Sequence, residues 1–254
     1  MQFQLKLTKG EGRSILPLSY RYGFSRAISN LVGKASGNNQ TPDCSSFRDR
    51  ISTSFTFGNF TFDTNEILHQ EELIFHQGNE LTLEIRFLID DDEEDLIKEM
   101  FLNQHITVGD TTYEISQINA KPTIDFQDVM VYRCLCPISL IKNNPSGSTL
   151  FLSPKDKGFH KSLKIDLLKR LLRSHPEMSG LQDLDQYCPE FQFQLLSEPK
   201  EKGYNIKTNC SFQTVIGYQF DFQLKASPVL HELGFYEGFG LGHSMGLGFV
   251  EVLA

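Results

Sequence analysis

Apolar and polar residues alternate from the start of the chain. Phe3, Leu5 and Leu7 fall on one face of QFQLKL, the two-residue period of a half-buried strand. After a turn-rich stretch, Phe24, Ala27, Ile28, Leu31 and Val32 recur at three-and-four spacing. That pattern predicts an amphipathic helix ending near Gly33 or Gly37. A polar, turn-forming linker follows (SGNNQTPDCSS), then aromatic alternation in FTFGNFTF and aliphatic alternation at Leu81, Leu83, Ile85 and Phe87, which predict two strands. DLIKEMFLNQ reads as a short helix, with strands around Thr112–Ile118 and Val129–Pro137 after it. Strand, helix, strand, strand, helix, strand is the ferredoxin-like order.

Near residue 141 the pattern restarts. KNNPSGS reads as a linker and TLFL as a short strand. KSLKIDLLKRLLRSH then sets Leu163, Leu167, Leu168, Leu171 and Leu172 along one helix face, with lysines and arginines opposite. FQFQLL and TVIGYQFDFQL alternate as strands, and GFVEVL closes the set. The expected fold class is α+β, with one domain over residues 1–140 and a second over residues 141–254.

Composition narrows the function classes. The 254 residues are 39% hydrophobic and 22% charged, ordinary for a folded globular protein. No apolar run approaches the ~20 residues of a bilayer span, and the start lacks the apolar core of a signal peptide. Five cysteines without a CxxC pair predict neither a disulfide framework nor a zinc site. The expectation is a reduced cytoplasmic protein, not bound to membrane, without metal or cofactor.

The formal charge of -8 argues at face value against a nucleic-acid partner. Its distribution changes that. Residues 1–60 carry a net charge of +5, residues 61–140 carry -13, and residues 141–254 balance. Much of the acidity is the run Asp90–Asp95, expected as the acidic first turn of a helix. Residues 155–173 hold seven basic residues against two acidic ones. Local field decides partners more than the total does, so two basic regions remain able to meet an anion.

The C-terminal segment LGFYEGFGLGHSMGLGFVEVLA is the most informative. Gly234, Gly238, Gly240, Gly242, Gly246 and Gly248 crowd fifteen positions. A dinucleotide fingerprint would have to precede a helix inside a strand–helix–strand unit, and only six residues follow Gly248. A P-loop would end in Gly-Lys-Ser/Thr, which is absent. A loop at the edge of the last sheet remains, either a glycine-dependent hairpin or a nest of N–H groups able to hold phosphates.

The glycine run from Gly238 through Val250 resembles the C-terminal signature of CRISPR repeat-RNA processing endoribonucleases, the sixth Cas family. The resemblance extends to ILPLSYRYGFSRAISNLV, similar to that family's Leu-Pro-x-x-Tyr turn and first helix. It continues in SFTFGNF, ITVGDTTYEISQI, LCPISL and SPVLHELGFYEGFG. It implies two tandem ferredoxin-like (RRM-like) domains with a C-terminal glycine-rich loop. It further implies metal-independent cleavage of a repeat transcript, in which a 2′-hydroxyl attacks the neighbouring phosphate.

Many members of that family use a His after the first helix, a Tyr on it and a Lys before the next strand. Here those positions hold Arg48, Ser29 and a residue near Thr53, and no His precedes His69. Arginine is a poor general base, so an atypical centre around Ser29, Arg48 and Arg50 is the expectation if the protein cleaves. The RNA contacts expected from the resemblance are Gly238, Gly240, Gly242, His243, Ser244, Gly246 and Gly248 on the loop. Arg21, Arg26, Lys161 and Lys164 on the two helices complete the set. His243 is the only His inside the motif, a proton donor, a stacking partner or an ordinary surface residue. His69 and His76 read as a solvent-facing hairpin, His105 and His231 as helix-end residues, and Cys134 and Cys136 as buried packing. Two alternatives stay open: a repeat-RNA-binding member without catalysis, and a structural subunit of a CRISPR effector complex. A homodimer is likewise open.

Overall fold

The structure is a computed structural model describing residues 1–12, 15–34, 54–63, 67–70, 73–76, 78–143, 149–174, 190–207 and 212–253. It forms two compact units. The first comprises Met1–Thr123 with Asn205–Gln213 and Ser244–Gly246, and the second Ile124–Tyr204, Thr214–His243 and Leu247–Ala254.

The first unit contains β1 (Gln2–Gly12), β2 (Ile15–Pro17), α1 (Tyr20–Lys34), β3 (Phe55–Phe57), β4 (Thr61–Phe62), β5 (Ile67–Gln70) and β6 (Leu73–His76). It continues with β7 (Glu80–Phe87), α2 (Glu94–Phe101), β8 (His105–Val108) and β9 (Thr111–Ala120). Its main sheet runs β3-β7-β1-β9-β8, with antiparallel neighbours throughout. Counting β1, β3, β7 and β9 as the four strands of the motif, their spatial order is second, third, first, fourth. That is the ferredoxin-like topology the hydrophobic pattern predicts. Phe3, Leu5 and Leu7 of β1 and Leu81, Leu83 and Ile85 of β7 are buried, as are Phe24, Ile28, Ile97 and Phe101 on the two helices. The acidic run becomes a 3₁₀ turn, Asp91–Glu93, leading into α2.

One expectation fails here. His76 is not solvent-facing but buried on β6, its Nε2 3.0 Å from the Tyr113 hydroxyl and its ring beside Phe62. β6, paired with β2 and β5, alternates so that Ile74 and His76 share the buried side, where His76 meets Tyr113 and Phe62.

The second unit holds β10 (Val129–Cys134), β11 (Ile141–Asn143), β12 (Thr149–Phe151), α3 (Phe159–Ser174), β13 (Gln192–Leu195) and, up to Tyr204, β14 (Lys200–Lys207). Next come, from Thr214, β15 (Phe212–Gln219), then β16 (Asp221–Lys225), α4 (Pro228–Glu237) and β17 (Val250–Leu253). Its sheet order, β13-β16-β10-β17, repeats second, third, first, fourth. β10 pairs with both β16 and β17, so residues 124–140 group with the second unit and the expected boundary at 140/141 falls inside it. Cys134 and Cys136 are buried as expected, and burial pushes the Cys134 thiol up.

α4 is a helix the periodicity did not predict. Pro228 starts it, where a missing N–H costs nothing, but its buried residues surround it rather than forming a stripe. Its Gly234 is required sterically, since a Cβ there would lie 2.3 Å from the Phe239 ring. His231 on α4 is fully buried, with Nδ1 2.9 Å from the Tyr132 hydroxyl.

Burial holds both His76 and His231 below their ordinary value of 6.5. As pH drops through that value the unfolded chain takes up protons that the folded chain refuses, so stability is full above it and falls on acidification. Urea midpoints measured from about pH 7.5 down to about pH 5 should therefore decrease. His231→Gln should flatten part of that slope; a midpoint rising on acidification would contradict the assignment.

Candidate nucleic-acid interface

The glycine-rich segment is a hairpin held by its own backbone. Phe239 N–H donates to the Gly248 carbonyl (2.9 Å), and Leu247 N–H to that of Gly242 (3.3 Å). The strand-end residues Pro137–Ser139 support it from outside: Leu241 N–H donates to the Ser139 carbonyl and Gly248 N–H to the Pro137 carbonyl, each at 2.8 Å. Two glycines are obligatory for this path. Gly240 has φ +80, and a Cβ there would sit 2.6 Å from the Ser139 carbonyl oxygen. Gly248 has φ +70, and a Cβ would sit 1.9 Å from the Phe239 oxygen. Leu241 through Met245 form the accessible tip, while Gly246 through Val250 are buried.

Arg170, on α3, fixes where this hairpin begins. Only 2% exposed, it donates through Nη1 to the Gly238 carbonyl at 2.7 Å and lies 3.5 Å from the Glu237 carboxylate. Its Nη2 is 2.9 Å from Asp166. The sequence pattern places the basic residues of α3 opposite the leucines; Arg170 instead lies among Leu163, Leu167 and Leu171 on the buried face. Its position one residue before Leu171 and four after Asp166 is the signal in the sequence that could have found it.

In the first unit, Arg21 plays a comparable part. It is buried, and its Nη1 donates to the Gly246 carbonyl at 2.9 Å while Nη2 donates to Asn59 Oδ1. Its guanidinium lies 5.6 Å from the Tyr20 ring centroid and 5.8 Å from that of Phe57. Arg21 is thereby turned to the backbone of the glycine-rich segment rather than to solvent. Asn59, which sequence reasoning passed over, completes this seat.

The remaining expected residues lie on several elements. Arg26 is exposed on α1, 5.9 Å above the Tyr22 ring, and Ser29 is half-buried on the same helix. Lys161 is exposed and Lys164 half-buried on α3. His243 and Ser244 are half-buried in the 3₁₀ turn His243–Met245 at the hairpin tip. Arg48 and Arg50 lie outside the described residues. Gly238, Gly240, Gly246 and Gly248 are buried, contrary to their expected place as RNA contacts, and serve the hairpin's own close packing; the accessible tip, Leu241–Met245, carries Gly242, His243 and Ser244.

Residues 119–252 match the family model described as CRISPR associated protein Cas6, C-terminal. Three solved structures are similar over the full chain. The product of a Cas6-related gene from Pyrococcus furiosus is 18% identical, covering 100% of this chain and 98% of its own, with a TM-score of 0.77. A RAMP protein binding different RNA substrates is 18% identical over 100% of both chains, with a TM-score of 0.76. A CRISPR-associated Cas6 protein is 20% identical over 100% and 99%, with a TM-score of 0.71. At these identities the likeness is one of fold, and it agrees with the paired ferredoxin-like topology. No curated protein matches the sequence significantly. The family match spans more than half of the chain, from the end of β9 through the glycine-rich hairpin into β17, and the chain belongs to the Cas6 family of CRISPR-associated repeat-RNA processing proteins.

Proposed function

We propose that this protein binds CRISPR repeat RNA in the cytoplasm and cleaves precursor transcripts once within each repeat, without a metal ion. The observation that carries the reading is the glycine-rich hairpin. Its ends are pinned by internal backbone bonds, and its accessible tip runs from Leu241 to Met245. Gly238, Gly240, Gly246 and Gly248, buried within the hairpin, hold its shape, and Gly242 at the tip lets the RNA backbone come close. His243 and Ser244 meet the scissile region, and Arg26, Lys161 and Lys164 supply charge along the strand.

In the cleavage step the 2′-oxygen gives its proton to solvent water and forms a bond to the adjacent phosphorus. The bond from phosphorus to the 5′-oxygen breaks, and that oxygen takes up a proton. The products are a 2′,3′-cyclic phosphate and a free 5′-hydroxyl. His243 donates the proton to the leaving oxygen, and Arg48 and Arg50 stabilise the charge that accumulates on phosphorus, with Ser29 orienting the attacking hydroxyl. Repeat RNA should be cut once in the presence of EDTA, and replacing the attacking 2′-hydroxyl by hydrogen should stop it. His243→Ala should lower the single-turnover rate by about 10²–10⁴-fold with RNA affinity nearly unchanged; an unchanged rate would remove His243 from this role.

A second reading, binding without cleavage, is favoured by one specific observation: no histidine precedes His69. Tight binding of the repeat with no product at large protein excess would select it. Copurification with effector subunits and no affinity of its own for repeat RNA would instead select a structural role.

A further inference from the structure

α1 and β8 enclose a cleft that the glycine-rich hairpin does not account for. Its volume is about 320 Å³, and Tyr22, Arg26, Asn30, His105 and Thr107 supply its polar lining. Tyr22, Arg26 and Asn30 are four residues apart on the helix, so they share one face. β8 is the edge strand of the main sheet, and its alternation buries Ile106 and Val108 while His105 and Thr107 face off the core. Gly23 faces this strand, where a Cβ would make ordinary contact at 3.4 Å from Val108 Cγ1. α1 carries Arg21, Arg26 and Lys34 and no acidic residue; the nearest carboxylate in the ladder is Glu114, opposite His105.

We infer that this cleft is an RNA subsite that holds one nucleotide of the strand. The inference rests on the RNA-binding reading above and adds a second anchoring point to it. The chemistry is that of unpaired-nucleotide recognition. The Tyr22 ring and the Arg26 guanidinium 5.9 Å above it offer planar surfaces for base stacking. Arg26 and His105 offer donors for phosphate, and the Asn30 amide can pair with a base edge as both donor and acceptor. The volume is at the small end of ligand sites, fitting one nucleotide rather than a helical segment. Arg26, Asn30, His105 and Thr107 are exposed, so the strand can continue past the cleft in both directions. A free mononucleotide shares this chemistry, and the test separates the two.

The experiment is equilibrium binding of single-stranded repeat RNA to the full chain, across a salt series, for wild type, Tyr22→Ala, Tyr22→Phe and Arg26→Gln, with adenosine monophosphate as competitor. Tyr22→Ala should weaken binding about tenfold, as loss of one stacking platform does, and Tyr22→Phe should restore it. Arg26→Gln should lower the slope of log affinity against log salt by about 0.7, one phosphate contact on a single strand. Thermal midpoints should match wild type in Arg26→Gln, whose side chain is exposed, and in Tyr22→Phe, which keeps the half-buried ring. Wild-type binding with unchanged affinity and slope in Tyr22→Ala and Arg26→Gln overturns the subsite and leaves the RNA reading standing. No RNA binding by wild type overturns both. Saturation of the cleft by the mononucleotide, with RNA affinity indifferent to the variants, overturns the RNA assignment in favour of a free ligand.

Discussion

Gly246→Val is expected to abolish high-affinity RNA binding. At Gly246 the backbone has φ +74, a conformation that a β-branched residue adopts only with strain of about 1–3 kcal/mol. Space is the larger obstacle. A Cβ at this position would lie 2.4 Å from Arg21 Nη1, 2.7 Å from Phe57 Cε2 and 2.8 Å from the Phe57 carbonyl oxygen. The Phe57 backbone belongs to β3, paired to β7, and cannot retreat. Residue 246 must move instead, breaking the 2.9 Å bond from Arg21 to its carbonyl and shifting the 3₁₀ turn that carries His243 and Ser244. Gly158→Ala is the matching control, because no atom lies within 4 Å of a Cβ there. Filter binding should show the first variant without specific affinity and the second unchanged. Equal affinity in both would remove the hairpin from RNA recognition.

Arg170→Met is expected to cost about 3–5 kcal/mol of folding stability, the usual consequence of removing one partner from a buried ion pair. Glu237, only 3% exposed, would keep its carboxylate without the guanidinium 3.5 Å away, and Asp166 would lose its 2.9 Å partner. The Gly238 carbonyl would lose its donor as well. Arg170 can be separated from general packing by a cycle with Glu237→Gln. The double variant should recover part of the loss, because it no longer strands a buried charge. Urea unfolding at neutral pH measures all four corners. A loss of less than about 1 kcal/mol, the size of an exposed pair, would contradict the role assigned to Arg170.

The fold was largely legible because its signals are periodic. Phe3, Leu5 and Leu7 alternate without interruption, and the leucines of α3 recur at helical spacing, so each element declares which face is covered. In the first unit the order strand–helix–strand–strand–helix–strand then implies the topology; in the second unit only one of the two helices showed in the pattern. What escaped lacks such a period. α4 is buried nearly all round and contains Gly234, so no stripe marks it as a helix. His76 sits on a strand whose covered side meets Tyr113 and Phe62, which is a tertiary fact. The grouping of residues 124–140 with the second unit depends on β10 pairing with β16 and β17, far along the chain.

The candidate site divides the same way. Glycine density at 238–248 pointed to the hairpin, and the positive φ values there give the reason. Two basic residues that stand out in the sequence by their charge, Arg21 and Arg170, are buried and bonded to carbonyls of that segment. A guanidinium among apolar neighbours has the same letter as one in solvent, and only its spacing relative to Leu167 and Leu171 hinted at the difference for Arg170. Arg26 kept an exposed position, and the cleft beside it, which joins α1 to His105 on β8, brings together residues about eighty positions apart that no local pattern connects.

The central claim is that the glycine-rich hairpin recognises CRISPR repeat RNA. Equilibrium binding of the full chain to the repeat RNA of its own genome, against a scrambled RNA of equal length and at fixed salt, tests this most directly. A clear preference for the repeat is expected, lost in Gly246→Val and kept in Gly158→Ala. Equal affinity for both RNAs, or a preference that survives Gly246→Val, would contradict that claim.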